Sequence, residues 1–189
     1  GGGQGIMTLW DTSLGRSIKT VVASEGFLAH IFAVAFSSDG KYALSGGQGT
    51  SVILWNAKNL TQIKKFVGHP GSWGIWSVAF SPDGKYVLSA GFGGQVKIWD
   101  LASGSEWKAL TGYFGHTRGT AAKFSPNGKQ VISAGDASTR IWDVSTGEEI
   151  ASMIAFEDGE WIITTANGYY TSSPKGDQYL SVKVGGKEY

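Results

Sequence analysis

The sequence predicts an all-β fold built from a repeated antiparallel meander, and three observations carry that prediction. Tryptophan closes a short apolar run at Trp10, Trp55, Trp99 and Trp142, with spacings of 45, 44 and 43 residues. A tight turn recurs upstream of three of them, at Ser38-Asp39-Gly40, Pro82-Asp83-Gly84 and Pro126-Asn127-Gly128. The runs between turns are rich in β-branched and aromatic residues, which pack well on a pleated surface.

The clearest unit runs from Ile75 to Asp100. Its first strand ends Val78-Ala79-Phe80, and Ser81-Pro82-Asp83-Gly84 turns the chain, because proline presets its own φ and glycine accepts a positive one. Tyr86 to Ala90 is the second strand, Gly91 to Gly94 breaks it, and Val96 to Trp99 is the third. Val78, Phe80, Val87, Ile98 and Trp99 are its expected core-facing residues. After each tryptophan a short turn leads to an outer, more polar strand, such as Thr61 to Phe66 or Glu106 to Leu110. Lys64, Lys65, Glu106, Lys108, Glu148 and Glu149 there are expected to be solvated edge charges.

The ends are less regular. Residues 1–10 mirror Gly46 to Trp55, so the chain enters in the middle of a repeat. From Phe156 the pattern changes, and three further strands are expected around an Asn167-Gly168 turn and a Pro174-Lys175-Gly176-Asp177 turn. In all, seventeen strands are expected, two in front, twelve in whole units and three behind.

Composition bounds the function. The 189 residues carry a formal net charge of +1, with 16% charged and 13% aromatic residues. Such a balance gives no footprint for nucleic acid or a membrane surface and argues against disorder. There are 29 glycines, which without a period of three imply many turns, and no cysteine, which excludes disulfides and thiolate chemistry. With no apolar run of membrane-spanning length and no signal-peptide pattern, a cytoplasmic chain is expected.

Gly68-His69, Gly115-His116, Phe80-Ser81-Pro82-Asp83-Gly84 and the Trp-Asp pairs at 10–11, 99–100 and 142–143 make the chain resemble the WD-repeat family of β-propellers. The resemblance covers roughly residues 6–155. It implies three complete four-stranded blades (27–66, 67–110 and 111–155) plus a partial blade over 1–26 and an atypical terminal blade over 156–189. Together these would form part of a ring of seven or eight blades, completed by further blades of the same chain or by a second copy. The tail, through Glu160-Trp161, Gly168-Tyr169-Tyr170 and Lys175 to Leu180, resembles the last blade of prokaryotic WD-repeat proteins, some of which carry a caspase-like peptidase domain.

The family pattern also assigns the three histidines. In it, a histidine before the first strand, a serine ending the second, an aspartate in the next turn and the tryptophan form a hydrogen-bonded network. His116, Ser133, Asp136 and Trp142 complete that set in the third repeat. His30-Ser45-Trp55 and His69-Ser89-Trp99 lack the aspartate, with Gln48-Gly49 and Gly93-Gly94 in its place. A buried imidazole without that acceptor should pay about 1–3 kcal/mol for an unpaired polar group. One histidine per repeat argues against a shared metal or acid–base site. The glycine-rich turns precede no helix and no Gly-Lys-Ser/Thr, so no phosphate loop is expected. No catalytic residue, metal or cofactor is assigned, and the acidic turn Glu157-Asp158-Glu160 reads as solvated.

Aromatic residues supply the remaining signal. Trp73, Tyr113 and Phe92, with Arg118, are candidate partner contacts at the loop ends of the blades, while Trp76 is expected to pack between blades. The expected function is a non-enzymatic scaffold for a protein or peptide partner, with no nucleic acid and no membrane. The alternatives are a regulatory or sensor propeller of a larger prokaryotic protein, such as a caspase-like peptidase, and a small-ligand-binding propeller.

Overall fold

A computed structural model describes residues 5–24, 30–69, 74–111, 120–135, 138–180, 183–184 and 187–188. The described elements are strands and two 3-10 turns. A hairpin of β1 (Gly5–Asp11) and β2 (Arg16–Ser24) comes first. Two antiparallel four-stranded meanders follow. Blade one is β3 (Ile31–Phe36), β4 (Tyr42–Gly47), β5 (Ser51–Asn56) and β6 (Gln62–Val67). Blade two is β7 (Ile75–Phe80), β8 (Tyr86–Gly91), β9 (Val96–Asp100) and β10 (Glu106–Leu110). Blade three, β11 (Ala121–Phe124), β12 (Gln130–Gly135), β13 (Ser138–Asp143) and β14 (Glu149–Ala155), follows the same order.

The tail differs from the expected terminal blade. β15 (Trp161–Thr165) pairs antiparallel with β14, and β16 (Tyr170–Ser172) with β15, so the third sheet has six strands. The connection explains this. Residues 156–160 form a hairpin turn in which Phe156 N–H donates to Glu160 O at 2.9 Å, too short a link to reach another sheet. The expected last strand begins instead as a 3-10 turn, Gly176–Tyr179, followed by the short pair β17 (Lys183–Val184) and β18 (Lys187–Glu188). The acidic turn that read as solvated holds this segment. Glu160 accepts from Ser173 Oγ and from Lys175 N–H at 3.0 Å. Asp158 accepts from Tyr179 OH at 2.6 Å, and the Tyr179 ring stacks on Phe156 with centroids 3.9 Å apart.

Each long turn is built alike, because serine and aspartate close it twice over. Asp39 and Asp83 accept from the hydroxyls of Ser37 and Ser81 at 2.7 and 2.6 Å, and Asn127 from Ser125 at 2.7 Å. The next glycine takes φ of +69°, +71° and +70° at Gly40, Gly84 and Gly128, which only glycine adopts freely. The aspartates after the tryptophans cap the following turn. Asp11, Asp100 and Asp143 accept from N–H groups of Ser13, Ser103 and Ser145 at 2.9, 2.7 and 2.8 Å, and Asn56 from Lys58 at 2.9 Å. Four residues on, Gly15, Gly104 and Gly147 take positive φ, and at the matching place Leu60 does so too, at +50°.

Burial lies in the seams. The first seam joins Ala23, Met7, Leu9 and Val21 of the hairpin to Ala43, Trp55 and Leu60 of blade one. The second joins Leu44, Val52, Leu54 and Phe66 to Ile75, Val78, Val87 and Trp99. The third joins Leu88, Val96, Ile98 and Leu110 to Ala122, Val131, Trp142 and Val144. Of the expected core-facing residues, Val78, Val87, Ile98 and Trp99 are buried and Phe80 is half-buried against the second cluster. The outer-strand charges do more than face water. Lys64 Nζ donates to Leu101 O and Ala102 O at 3.0 and 2.5 Å across one seam, and Lys108 Nζ to Ser145 O at 2.5 Å across the next. Glu106 and Glu149 pair with Lys97 and Arg140 at 2.5 and 2.6 Å.

Candidate functional site

Each blade carries the serine–tryptophan half of the expected network. The tryptophan lies two residues beyond the serine's cross-strand partner, on the same face, so its indole reaches the hydroxyl diagonally. Trp55 Nε1 donates to Ser45 Oγ at 2.9 Å, Trp99 to Ser89 at 2.7 Å and Trp142 to Ser133 at 2.8 Å.

The histidine half varies. In blade two, His69 Nε2 lies 2.7 Å from Ser89 Oγ, and the residue is 5% exposed. Among the described residues its Nδ1 has no hydrogen-bond partner, consistent with glycines standing where an aspartate would accept. Desolvation, and then the nearby Lys97 ammonium, lower its pKa to about 4, so the ring is neutral at pH 7. In blade one the expectation fails. His30 is exposed and stacks on Phe32, with centroids 6.1 Å apart and planes 25° from parallel, rather than joining Ser45. Blade two lacks the turn carboxylate as well and keeps His69 inside, so the missing acceptor does not by itself place His30 outside; the ring contact with Phe32 is what the structure shows in its stead. His116 and Asp136 lie outside the described residues.

Among the candidate partner contacts, Trp73, Tyr113 and Arg118 lie outside the described residues. Phe92 is half-buried in a 3-10 turn, Phe92–Gly94, and its N–H donates to Gly74 O at 3.1 Å. Two partly exposed aromatic rings stack near Gly74, the residue that accepts from Phe92. Phe32 on β3 and Trp76 on β7 stack face to face across the first complete seam, with centroids 4.4 Å apart and planes 7° from parallel. They remain 37% and 41% exposed. Trp76 thus packs between blades, as expected, yet stays accessible. Phe32 was legible as a partner: it stands 44 residues before Trp76, at the same offset in its repeat.

A rigid, half-exposed aromatic row on two inner strands can accept apolar or planar groups at little ordering cost. No group of three or more His, Asp or Glu side chains with metal-binding geometry occurs among the described residues. None of the helices among them is long and apolar enough to cross a membrane.

Comparison with known proteins agrees with this geometry. The chain is 30% identical over 82 residues to the U3 snoRNP-associated protein-like YAOH of Oryza sativa subsp. japonica, a match covering 36% of this chain and 16% of that protein. It is 28% identical over 68 residues to U3 small nucleolar RNA-interacting protein 2 of Mus musculus and, equally, of Homo sapiens, covering 32% of this chain and 14% of each. The chain therefore aligns with only about a sixth of the length of these relatives. The model of the WD domain, G-beta repeat (WD40), matches residues 18–56, 60–100 and 107–143, more than half of the chain. Three matched repeats, each with its serine–tryptophan bond, make this chain a member of the WD40 repeat family.

Proposed function

We propose that the chain is a non-enzymatic interaction scaffold that presents a rigid aromatic face to a protein or peptide partner. The observation that carries this reading is the Phe32–Trp76 stack, exposed on the inner strands of two blades packed through a continuous core. Aromatic side chains held in one conformation lose little entropy on binding and dominate interface energetics. Family membership supports the step from surface to interaction as analogy, since the fold hosts several functions.

The test compares the chain with a Phe32→Ala/Trp76→Ala variant in quantitative cross-linking capture from a native extract. A partner held by the stack is captured by the parent and lost from the variant, with both giving the same β-type circular dichroism. Equal capture by both removes the stack from the interface.

The relatives' names favour a second reading, association with a ribonucleoprotein. Exposed aromatic rings also serve as stacking platforms for bases. Filter binding of the chain to single-stranded RNA, with the same variant as control, separates this reading from the first. The relatives come from a plant and two mammals. A regulatory propeller of a prokaryotic caspase-like peptidase draws support only from the tail residues.

A further inference from the structure

Between β2 and blade one the chain encloses a cleft of about 260 Å³, on the face of blade one opposite to its seam with blade two. Its polar wall is formed by Ser45, Gln48, Thr50, Ser51, Gln62 and Lys65, with Gly49 at the turn. Among the described residues lining it, Lys65 is the one formal charge, and no carboxylate is present.

Three donors of this wall have no acceptor among the described residues. Ser45 is 1% exposed and its oxygen accepts from Trp55 Nε1 at 2.9 Å. Its own O–H has no acceptor among the described residues, whereas the equivalent Ser89 hydroxyl meets His69 Nε2 at 2.7 Å. His30, which would take that place, is outside on Phe32. In the turn, Gln48 N–H is used by His30 O at 2.8 Å, while the N–H groups of Gly49 and Thr50 make no backbone hydrogen bond among the described residues. A buried hydroxyl donor, two consecutive turn residues and a lysine therefore line one solvent-connected space, with no carboxylate among the described residues that line it. Such a set selects an oxyanion, because charge-assisted bonds from N–H and O–H donors are about twice as strong as neutral ones.

We propose that this cleft is an anion site that takes a single carboxylate or phosphate group. In the sequence, Gln48-Gly49 occupies the place where the third repeat carries Asp136, so an external anion would supply what the chain lacks there. The site lies in a different seam from the aromatic stack and stands or falls independently of it.

The test follows backbone amide and indole resonances of the ¹⁵N-labelled 189-residue chain during titration with sodium acetate or sodium phosphate, at ionic strength held constant with chloride. Saturable shifts are expected at Gly49, Thr50 and the Trp55 indole, with a dissociation constant on the order of 1 mM. Saturation by acetate identifies a carboxylate site and saturation by phosphate alone a phosphoryl site. Lys65→Met should weaken binding at least tenfold, while Lys41→Met, on the exposed Asp39 pair, leaves it unchanged. Shifts linear in concentration, or equal affinity in Lys65→Met, mean an adventitious ion only and overturn the proposal.

Discussion

Phe32 and Trp76 lie ring on ring across the seam of two blades, 4.4 Å apart and 7° from parallel. Their contact ties the inner strands together while both rings stay partly accessible, at 37% and 41%. Aromatic pairs contribute about 0.5–1.5 kcal/mol beyond the area they bury. A double-mutant cycle of Phe32→Ala and Trp76→Ala in urea unfolding is therefore expected to give a coupling near 1 kcal/mol. Strict additivity of the two substitutions would show that the stack carries no stability of its own.

The two described histidines should behave oppositely. His69 is buried against Ser89 and Trp99, so His69→Ala removes packing and leaves the Ser89 hydroxyl short of a partner, a loss of about 1–3 kcal/mol. His30 is exposed, and His30→Ala should change stability by no more than about 0.5 kcal/mol, as surface substitutions usually do. Thermal unfolding of the two variants checks this, and equal shifts would contradict it.

Acid should weaken the fold in two windows. The pKa of His69 is depressed in the folded state to about 4 from 6.5. The unfolded chain then binds the proton first, so the stability of neutral His69 is complete above pH 6.5 and is lost as pH falls towards 4. The shift corresponds to about 3 kcal/mol at most. Asp39, Asp83, Asp100 and Asp143 are held below the usual aspartate value by the serine hydroxyls and turn N–H groups that bond them. Their contribution is present above pH 4 and disappears as pH falls through their folded pKa values, about 2 for Asp39. Urea midpoints measured from pH 7 to 3 should fall first between 6.5 and 4, and His69→Gln should remove that first step.

Leu60 sets backbone strain against burial. It stands where three other repeats use glycine, at φ +50°, yet is only 3% exposed in the first seam. A left-handed conformation costs a non-glycine residue roughly 1–2 kcal/mol, and burying leucine gains about 1.5–3 kcal/mol. The two nearly offset, so Leu60→Gly should destabilise by less than about 2 kcal/mol, against about 2–5 kcal/mol for Leu54→Ala in the second seam. Chemical denaturation of both variants gives the comparison, and a larger loss for Leu60→Gly would refute it.

Gly46 is a different case, because space decides it. A Cβ there would lie 2.7 Å from Ile75 Cγ2 and 2.9 Å from Val78 Cγ1 of the next blade. Gly46→Ala should cost about 1–3 kcal/mol through overpacking. A neutral Gly46→Ala in the same denaturation experiment would mean the seam can yield.

The repeat made the blades legible, because Trp55, Trp99 and Trp142 and the Ser-x-Asp/Asn-Gly turns fix strand order and register from local chemistry alone. The serine–tryptophan bonds were legible for the same reason. What the sequence hid depends on contacts between units. His30 and His69 hold the same place in repeats that both lack the turn aspartate, yet one lies on Phe32 and the other against Ser89, a difference the repeat motif does not encode. Lys64 and Lys108 looked like edge charges, and only the packed seam reveals the carbonyls of Leu101, Ala102 and Ser145 within their reach. Asp158 and Glu160 likewise acquire roles only once Ser173 and Tyr179 fold back on them.

Each of the three apolar clusters joins one unit to its immediate neighbour, and none includes residues of three units. Cohesion in such an array is a sum of nearest-neighbour terms, as in a one-dimensional Ising chain. Damage should then spread by adjacency rather than globally. Loosening the hairpin of β1 and β2 would fray blade one first and reach blade three last, so hydrogen exchange would record the molecule as a gradient along its length.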